Sequence, residues 1–324
     1  MSPPRIGISA GDPSGISAEV LSKALAQPAL RAAFTPVVFG DASLAPLLPA
    51  HVELHALTHL PPEDRKPGCP SVAGGKAQMA YIEAAIAAAK NKNLEALCTA
   101  PVSKESISRA GFAFVGHTEW LAAAFERSVL MLMEGPRLRV ALATNHLPIA
   151  KVPKALNVDG LVAQLQLLSS SLFALLGYPP RLAMLALNPH AGEGGLRGDE
   201  EQHILIPALR KAAHLGLLCE GPFPADGFFA NLSTQPFDAV LAMFHDQGLC
   251  VAKALDFENT VNVTLGLPLP RTSPDHGVAY DIAGKNKADF RPMVQALLRA
   301  ARYAQAFASP PLTHSPSGNS SSTR

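Results

Sequence analysis

The sequence predicts an α/β fold with mixed, largely parallel sheets, and three observations lead there. Short apolar runs alternate with longer helical patterns from one end of the chain to the other, the arrangement that crossover-connected parallel strands require. The 324 residues are 48% hydrophobic and only 16% charged, enough for a sizeable core and, at roughly 100–200 residues per domain, for about two domains. Lys+Arg number 27 against 26 Asp+Glu, a formal net charge of +1. That balance leaves no electrostatic footprint for nucleic acid or an anionic membrane, and the apolar content excludes general disorder.

The first strand-like run is Arg5–Ser9, followed by Gly11-Asp12-Pro13-Ser14-Gly15 and a helical pattern over Ala18–Ala26. A glycine-rich strand-to-helix turn can present backbone N–H groups to an anion. This string is not G-x-G-x-x-G, however, and it lacks the lysine of a P-loop; a tight turn with Ser17 as helix cap explains it equally well. No basic segment followed by an apolar core stands at the N-terminus, so no signal peptide is expected. Pro36–Phe39 reads as a strand, the Pro-rich Leu60–Pro70 as a surface loop, Lys76–Lys90 as a helix and Leu94–Cys98 as a strand. Gly116-His117-Thr118-Glu119 precedes a helix over Glu119–Phe125. His117 and Thr118 could donate to a phosphate or carboxylate at that helix start, or Thr118 caps the helix and His117 is solvated.

Strands Leu138–Ala143, Leu182–Leu187 and Ala239–Phe244 then alternate with helices over Leu161–Leu176, Glu200–Leu215 and Pro292–Phe307. The uncharged stretch Gly160–Pro180 has the ~20 residues a membrane span needs, but Gln164, Gln166 and Ser169–Ser171 make it a buried amphipathic helix. Cys69, Cys98, Cys219 and Cys250 are scattered without a C-x-x-C pair, which suits reduced, mostly buried thiols in a cytoplasmic protein. The Ser- and Pro-rich end, 309–324, reads as a disordered tail.

Histidine placement carries the chemistry. LRVALATNH ends at His146, RLAMLALNPH ends at His190, and DAVLAMFHD carries His245 followed by Asp246. Each apolar run delivers an imidazole at or just beyond its carboxyl end, where open α/β sheets bind ligands. Three imidazoles from separate strands could converge on one divalent ion with an open position. Imidazoles suit Zn, Co, Ni or Fe, and Asp246 would add an oxygen tolerable to Mg or Mn. Taken singly, each histidine reads as a hydrogen-bonded strand-end residue. Lys253, Asn262 and Arg271 follow on a segment whose apolar spacing suits an anionic substrate, or place surface charges on a sheet edge. The string His276-Gly277-Val278-Ala279-Tyr280-Asp281-Ile282-Ala283-Gly284-Lys285 could wrap an adenosine. As a bare pattern it is a turn-rich loop entering a helix.

GHTEWLA, ATNHLP, LNPHAGEGG, LAMFHDQG, VNVTLGLP and RTSPDHG together resemble the 4-hydroxythreonine-4-phosphate dehydrogenase family of pyridoxal phosphate biosynthesis, over nearly the whole chain. HGVAYDIAGK also looks like the cofactor loop of isocitrate and isopropylmalate dehydrogenases. The resemblance implies their two-domain fold with an interdomain active-site cleft, residues 1–130 plus 275–308 forming one domain and 131–274 the metal, substrate and dimerisation domain. It implies a cytoplasmic homodimer using NAD or NADP and one divalent metal (Zn, Mg or Co). Carried over by position, His146, His190 and His245 match the metal ligands, and His117, Thr118, Lys253, Asn262 and Arg271 the substrate contacts. His276, Gly277 and Asp281 fall in the cofactor loop, and Lys253 and Asp246 are the catalytic candidates. The implied reaction oxidises the 3-hydroxyl of 4-phosphohydroxy-L-threonine and decarboxylates the product to 3-amino-2-oxopropyl phosphate. Dehydrogenases of threonate or erythronate 4-phosphate share the triad, and a non-catalytic metal- and phosphate-ligand-binding protein is the alternative from another class.

Overall fold

The computed structural model describes residues 2–308; the tail expected at 309–324 lies outside them. Arg5–Ser9 forms strand β1, buried along nearly its whole length, as a strand flanked on both sides must be. Strands β2 (Thr35–Asp41), β3 (Glu53–Thr58) and β4 (Ala96–Thr99) lie parallel to one another with it. Further along come β5 (Leu130–Glu134), β6 (Arg139–Leu142), β7 (Leu182–Leu185), β8 (Cys219–Phe223), β9 (Ala239–Ala242), β10 (Val261–Leu265) and β11 (Arg271–Pro274). The helices are α1 (Ser17–Leu25), α2 (Pro28–Arg31), α3 (Val72–Lys90), α4 (Lys104–Arg109), α5 (His117–Phe125), α6 (Val152–Ala155), α7 (Val158–Leu176), α8 (Ile206–His214), α9 (Ala225–Ala230), α10 (His245–Asp256) and α11 (Arg291–Ala308).

All these strands join one sheet in the order β3-β2-β1-β4-β11-β10-β5-β6-β9-β7-β8. β10 runs antiparallel to β11 and β5, and β5 antiparallel to β6. These antiparallel pairings separate two parallel groups, one ending in β4 and β11, the other made of β6, β9, β7 and β8. The sheet is therefore mixed and largely parallel, as the alternation of runs implies. Within the second group β6, β9 and β7 are immediate neighbours and mutually parallel, so their carboxyl ends share one edge.

Two hydrophobic clusters cover the sheet. One contains Val20, Leu21, Ile82, Leu165, Leu168, Leu172, Leu297 and Tyr303 from α1, α3, α7 and α11. The other sets Met131, Met133, Val140 and Leu185 against Phe228 and Leu249 of α9 and α10. Helix α7 is long and apolar enough to cross a membrane by length and composition. It buries Leu161, Val162, Leu165, Leu168 and Leu172, the amphipathic packing expected of it.

Several local expectations are corrected. Ser17 does not cap α1: Ile16 holds the cap position, and Ser17 Oγ donates to the Pro101 carbonyl at 3.1 Å. Thr118 does not cap α5 either, because Gly116 occupies that position and Thr118 is buried inside the first turn. The string from His276 to Lys285 does not enter a helix directly; turns run to Asn286 and irregular chain to Phe290 before α11. Cys69 and Cys250 are exposed, while Cys98 is buried, its thiol pushed up to about 12 by desolvation. Strands β3, β8, β10 and β11 escape the apolar-run criterion, whereas β5, Leu-Met-Leu-Met-Glu, meets it and still is not among the expected strands. β11 reads Arg-Thr-Ser-Pro and is held by its neighbours rather than by strand propensity.

Candidate active site

The three strand-end histidines lie just beyond the carboxyl ends of adjacent strands. β6 ends at Leu142 ahead of His146, β7 at Leu185 ahead of His190, and β9 at Ala242 ahead of His245, which opens α10. The His146 and His245 rings lie close, tilted by 45° with centroids 5.6 Å apart. His190 instead bonds Glu193 through Nδ1 at 2.5 Å. Among the described residues of one chain, no three metal-capable side chains come together. The donor set still fits a divalent ion: two neighbouring imidazoles stand on a common edge, and His245 Nδ1 is held by Asp246 Oδ1 at 2.7 Å, which leaves Nε2 for coordination.

His146 connects this edge to α5, its Nδ1 lying 3.7 Å from Glu119 Oε1. At the start of the same helix His117 packs edge-on against Phe114, with ring centroids 5.5 Å apart. Its Nε2 is enclosed without a hydrogen-bond partner, so the solvated reading of this histidine is corrected. Burial holds its pKa well below the ordinary imidazole value, helped by the charges of Arg271 and Lys104.

Arg271 begins β11 and is 3% exposed, which overturns the surface-charge reading of that segment. Its guanidinium donates to Thr99 Oγ1 and Thr264 Oγ1, both neutral hydroxyls. Desolvation lowers its pKa to about 10, opposed by Cys98 and Glu119. A buried cation bonded only to hydroxyls has the chemistry to receive an anion. Asn262, in register with Ser273 two residues beyond Arg271, keeps its Oδ1 enclosed and unpartnered. Lys253 Nζ, from the last turn of α10, forms an ion pair with Asp275 Oδ2 at 2.8 Å. The next residue, His276, bonds the Gly277 carbonyl through Nδ1 and leaves Nε2 enclosed without a partner. Asp246, Gly277 and Asp281 are exposed.

The glycine-rich first turn turns out to be the seat of the segment after His276. Ile16 N–H donates to the Val278 carbonyl at 3.0 Å, and Tyr280 Oη donates to Asp12 Oδ2 at 2.6 Å. A Cβ on Gly15 would stand 2.8 Å from the Val278 carbonyl oxygen, so only glycine admits this approach. Burial raises the Asp12 pKa despite hydrogen bonds from Tyr280 and Ser14 that favour its charge. Beside this junction a cavity of about 200 Å³ is lined by Gly11, Asp12, Asp41, Arg65, Tyr81 and Gly284. His276 Nε2, which does not line this cavity, leaves a polar atom that a bound cofactor could meet. The docking role of Asp12 and Tyr280 was not legible from spacing, because the two stand 268 positions apart. Glu119 and Glu193 were likewise missed, although each lies three residues or fewer from a candidate histidine.

Comparison with known proteins places these features in a lineage. A family model described as pyridoxal phosphate biosynthetic protein PdxA matches residues 16–300. A 4-hydroxythreonine-4-phosphate dehydrogenase from Geobacter metallireducens is 40% identical over 326 residues, covering 93% of this chain and 96% of the relative. The solved 4-hydroxythreonine-4-phosphate dehydrogenase of Klebsiella pneumoniae superposes with a TM-score of 0.83 at 33% identity, covering 93% of this chain and all (100%) of that one. A terephthalate 1,2-cis-dihydrodiol dehydrogenase from Burkholderia xenovorans superposes with a TM-score of 0.67 at 29% identity, covering 92% of this chain and 98% of that one. The chain belongs to the PdxA family of pyridoxal phosphate biosynthetic proteins.

Proposed function

We propose that this chain is a 4-hydroxythreonine-4-phosphate dehydrogenase. It oxidises the 3-hydroxyl of 4-phosphohydroxy-L-threonine with NAD or NADP, and the resulting β-keto acid loses carbon dioxide to give 3-amino-2-oxopropyl phosphate. The observation that carries this reading is the buried Arg271, hydrogen-bonded only to hydroxyls, with Glu119 interacting both with it and with His146 on the edge where His146 and His245 meet. Anionic substrate recognition and a metal-ligating edge are what an oxidative decarboxylation of a phosphorylated hydroxy acid requires.

His146, His190 and His245 would hold the divalent ion (Zn, Mg or Co), with the cofactor beside His276, Gly277 and Asp281. When bound, the ion supplies Lewis acidity to the reacting oxygen and the nicotinamide accepts the hydride. Arg271 and Asn262 orient the anionic substrate, and His117 and Thr118 contact its phosphate or carboxylate. A neutral His117 suits that task as a donor or acceptor without adding charge. Lys253, held by Asp275, is the candidate to move the proton of the reacting hydroxyl, and Asp246 fixes the orientation of His245.

Val115, Leu147, Ile149 and Leu196 stand exposed at 63%, 44%, 64% and 86% close in sequence to His117, His146 and His190. Such an apolar rim supports a homodimer in which a second copy covers the site. The reading is of a cytoplasmic enzyme, supported by the packing of α7 against the core. Residues 1–130 plus 275–308 and 131–274 serve as its two domains. The similarity to a dihydrodiol dehydrogenase makes substrate choice the point to test. Values of kcat/KM for 4-phosphohydroxy-L-threonine, threonate 4-phosphate and erythronate 4-phosphate are expected to favour the first. A preference for either sugar acid would contradict the proposal.

A further inference from the structure

His146, His190 and His245 all face a carboxylate with the same ring nitrogen. His190 Nδ1 lies 2.5 Å from Glu193 Oε1, His245 Nδ1 2.7 Å from Asp246 Oδ1, and His146 Nδ1 3.7 Å from Glu119 Oε1. His55 and His214 differ, and His203 shares the arrangement only in part. His55 meets Glu53 through Nε2, and His214 Nδ1 meets a backbone carbonyl. His203 Nδ1 lies 3.1 Å from the Asp199 backbone carbonyl and 3.3 Å from its carboxylate in an exposed local pair. A neutral ring that donates from Nδ1 carries its lone pair on Nε2.

Glu193 is itself held in place. Glu193 Oε2 accepts from Arg197 Nε at 2.7 Å, so an Arg197–Glu193–His190 chain fixes the ring from behind. The loop that carries this chain is built for the purpose: His190, Ala191 and Glu193 adopt left-handed φ values of 53°, 53° and 44°, conformations that side chains other than glycine avoid. Its base is pinned by the buried Glu201, whose Oε1 accepts from the N–H groups of Leu187 and Asn188 at 2.8 Å each. Glu119 stands in the first turn of α5. A Cβ on Gly116 would approach Glu119 Oε2 to 2.7 Å, so that glycine leaves room for the carboxylate.

We infer that Glu119 and Glu193 are positioning residues that, with Asp246, set the three imidazoles in one tautomer with Nε2 directed outward as the ligating nitrogen. Neither glutamate is a ligand. The inference rests on the metal reading given above and extends it from the ligands to the groups that orient them. Partners of this kind strengthen a site by fixing ring orientation and raising the basicity of the ligating nitrogen.

The test is a Co²⁺ titration of the metal-free full-length protein, followed by visible absorption, with thermal melts alongside. Glu193→Ala is expected to weaken Co²⁺ binding about 10–100-fold while melting like the wild type, because His190 and Glu193 are 61% and 36% exposed. Glu193→Gln should recover most of the loss, since its amide oxygen still accepts from Nδ1. Glu119→Ala should weaken binding by a smaller factor, given the longer separation. Should Glu193→Ala fail to fold, Arg197→Met provides the second variant; it frees the far oxygen of Glu193 and should weaken binding modestly. Wild-type affinity in Glu193→Ala or Arg197→Met, combined with loss of binding in His190→Ala, would overturn the inference and leave the metal reading intact. No Co²⁺ uptake by the wild type would overturn the metal reading, and the inference with it.

Discussion

Arg271 shows how a single residue can trade stability for binding. Its guanidinium is removed from water and meets only the hydroxyls of Thr99 and Thr264, so it lacks the paired carboxylate that offsets desolvation. Arg271→Met keeps the volume and removes the charge. The melting temperature is expected to move by no more than about 4 °C, or to rise. Loss of a charge-assisted contact worth about 1.5–3 kcal/mol should lower kcat/KM roughly 10–100-fold. A large drop in melting temperature would mean that Arg271 is structural. His117 yields a pH signature of opposite character. Its folded pKa lies well below the ordinary value, near 6.5 in the unfolded chain, so the unfolded state binds a proton that the folded state refuses. Stability present above pH ~6.5 is therefore lost as pH falls through that value toward the folded pKa. Denaturant melts of His117→Gln should lose stability less steeply than the wild type between about pH 6.5 and 5; parallel curves would contradict the burial of this ring.

At the scale of elements, the sequence pattern exposes what repeats and hides what is held by distant partners. β6, β7 and β9 are legible because each carries an uninterrupted apolar run, and their common histidine endings locate the candidate edge. β10 and β11 are not, because Asn262 and Arg271 interrupt the apolar pattern. The glycine-rich first turn was open to two readings until Ile16 and Asp12 were seen to bind Val278 and Tyr280. That junction ties the segment after His276, proposed to hold the cofactor, to the sheet, and Tyr280→Phe removes one of its bonds. With a single hydrogen bond worth about 0.5–1.5 kcal/mol, the Kd for NAD should rise roughly 2–10-fold. KM for the hydroxy acid should stay nearly unchanged, since Tyr280 bonds Asp12 and none of the proposed substrate contacts. An unchanged Kd for NAD, measured by calorimetry, would remove the loop from the cofactor site.

For the whole molecule, the near-zero net charge conceals a strongly local arrangement. Lys253 is paired with Asp275, Arg271 is buried without an acid in contact, and the imidazoles stand on an exposed edge. Only a sheet that brings β11 and β10 beside one parallel group, and β6, β9 and β7 together in the other, assembles these parts from positions 117 to 276. The fold class followed from alternation alone. The convergence needed the strand order, which no local pattern encodes. The central claim is that a metal-dependent dehydrogenation of a phosphorylated hydroxy acid takes place at this edge. Absorbance at the NADH band with 4-phosphohydroxy-L-threonine and NAD tests it most directly. NADH should form in the presence of Zn, Mg or Co, stop on chelation and resume when a divalent ion is added back. Full turnover in a verified metal-free preparation, or no NADH from the metal-loaded protein with either NAD or NADP supplied, would contradict the account.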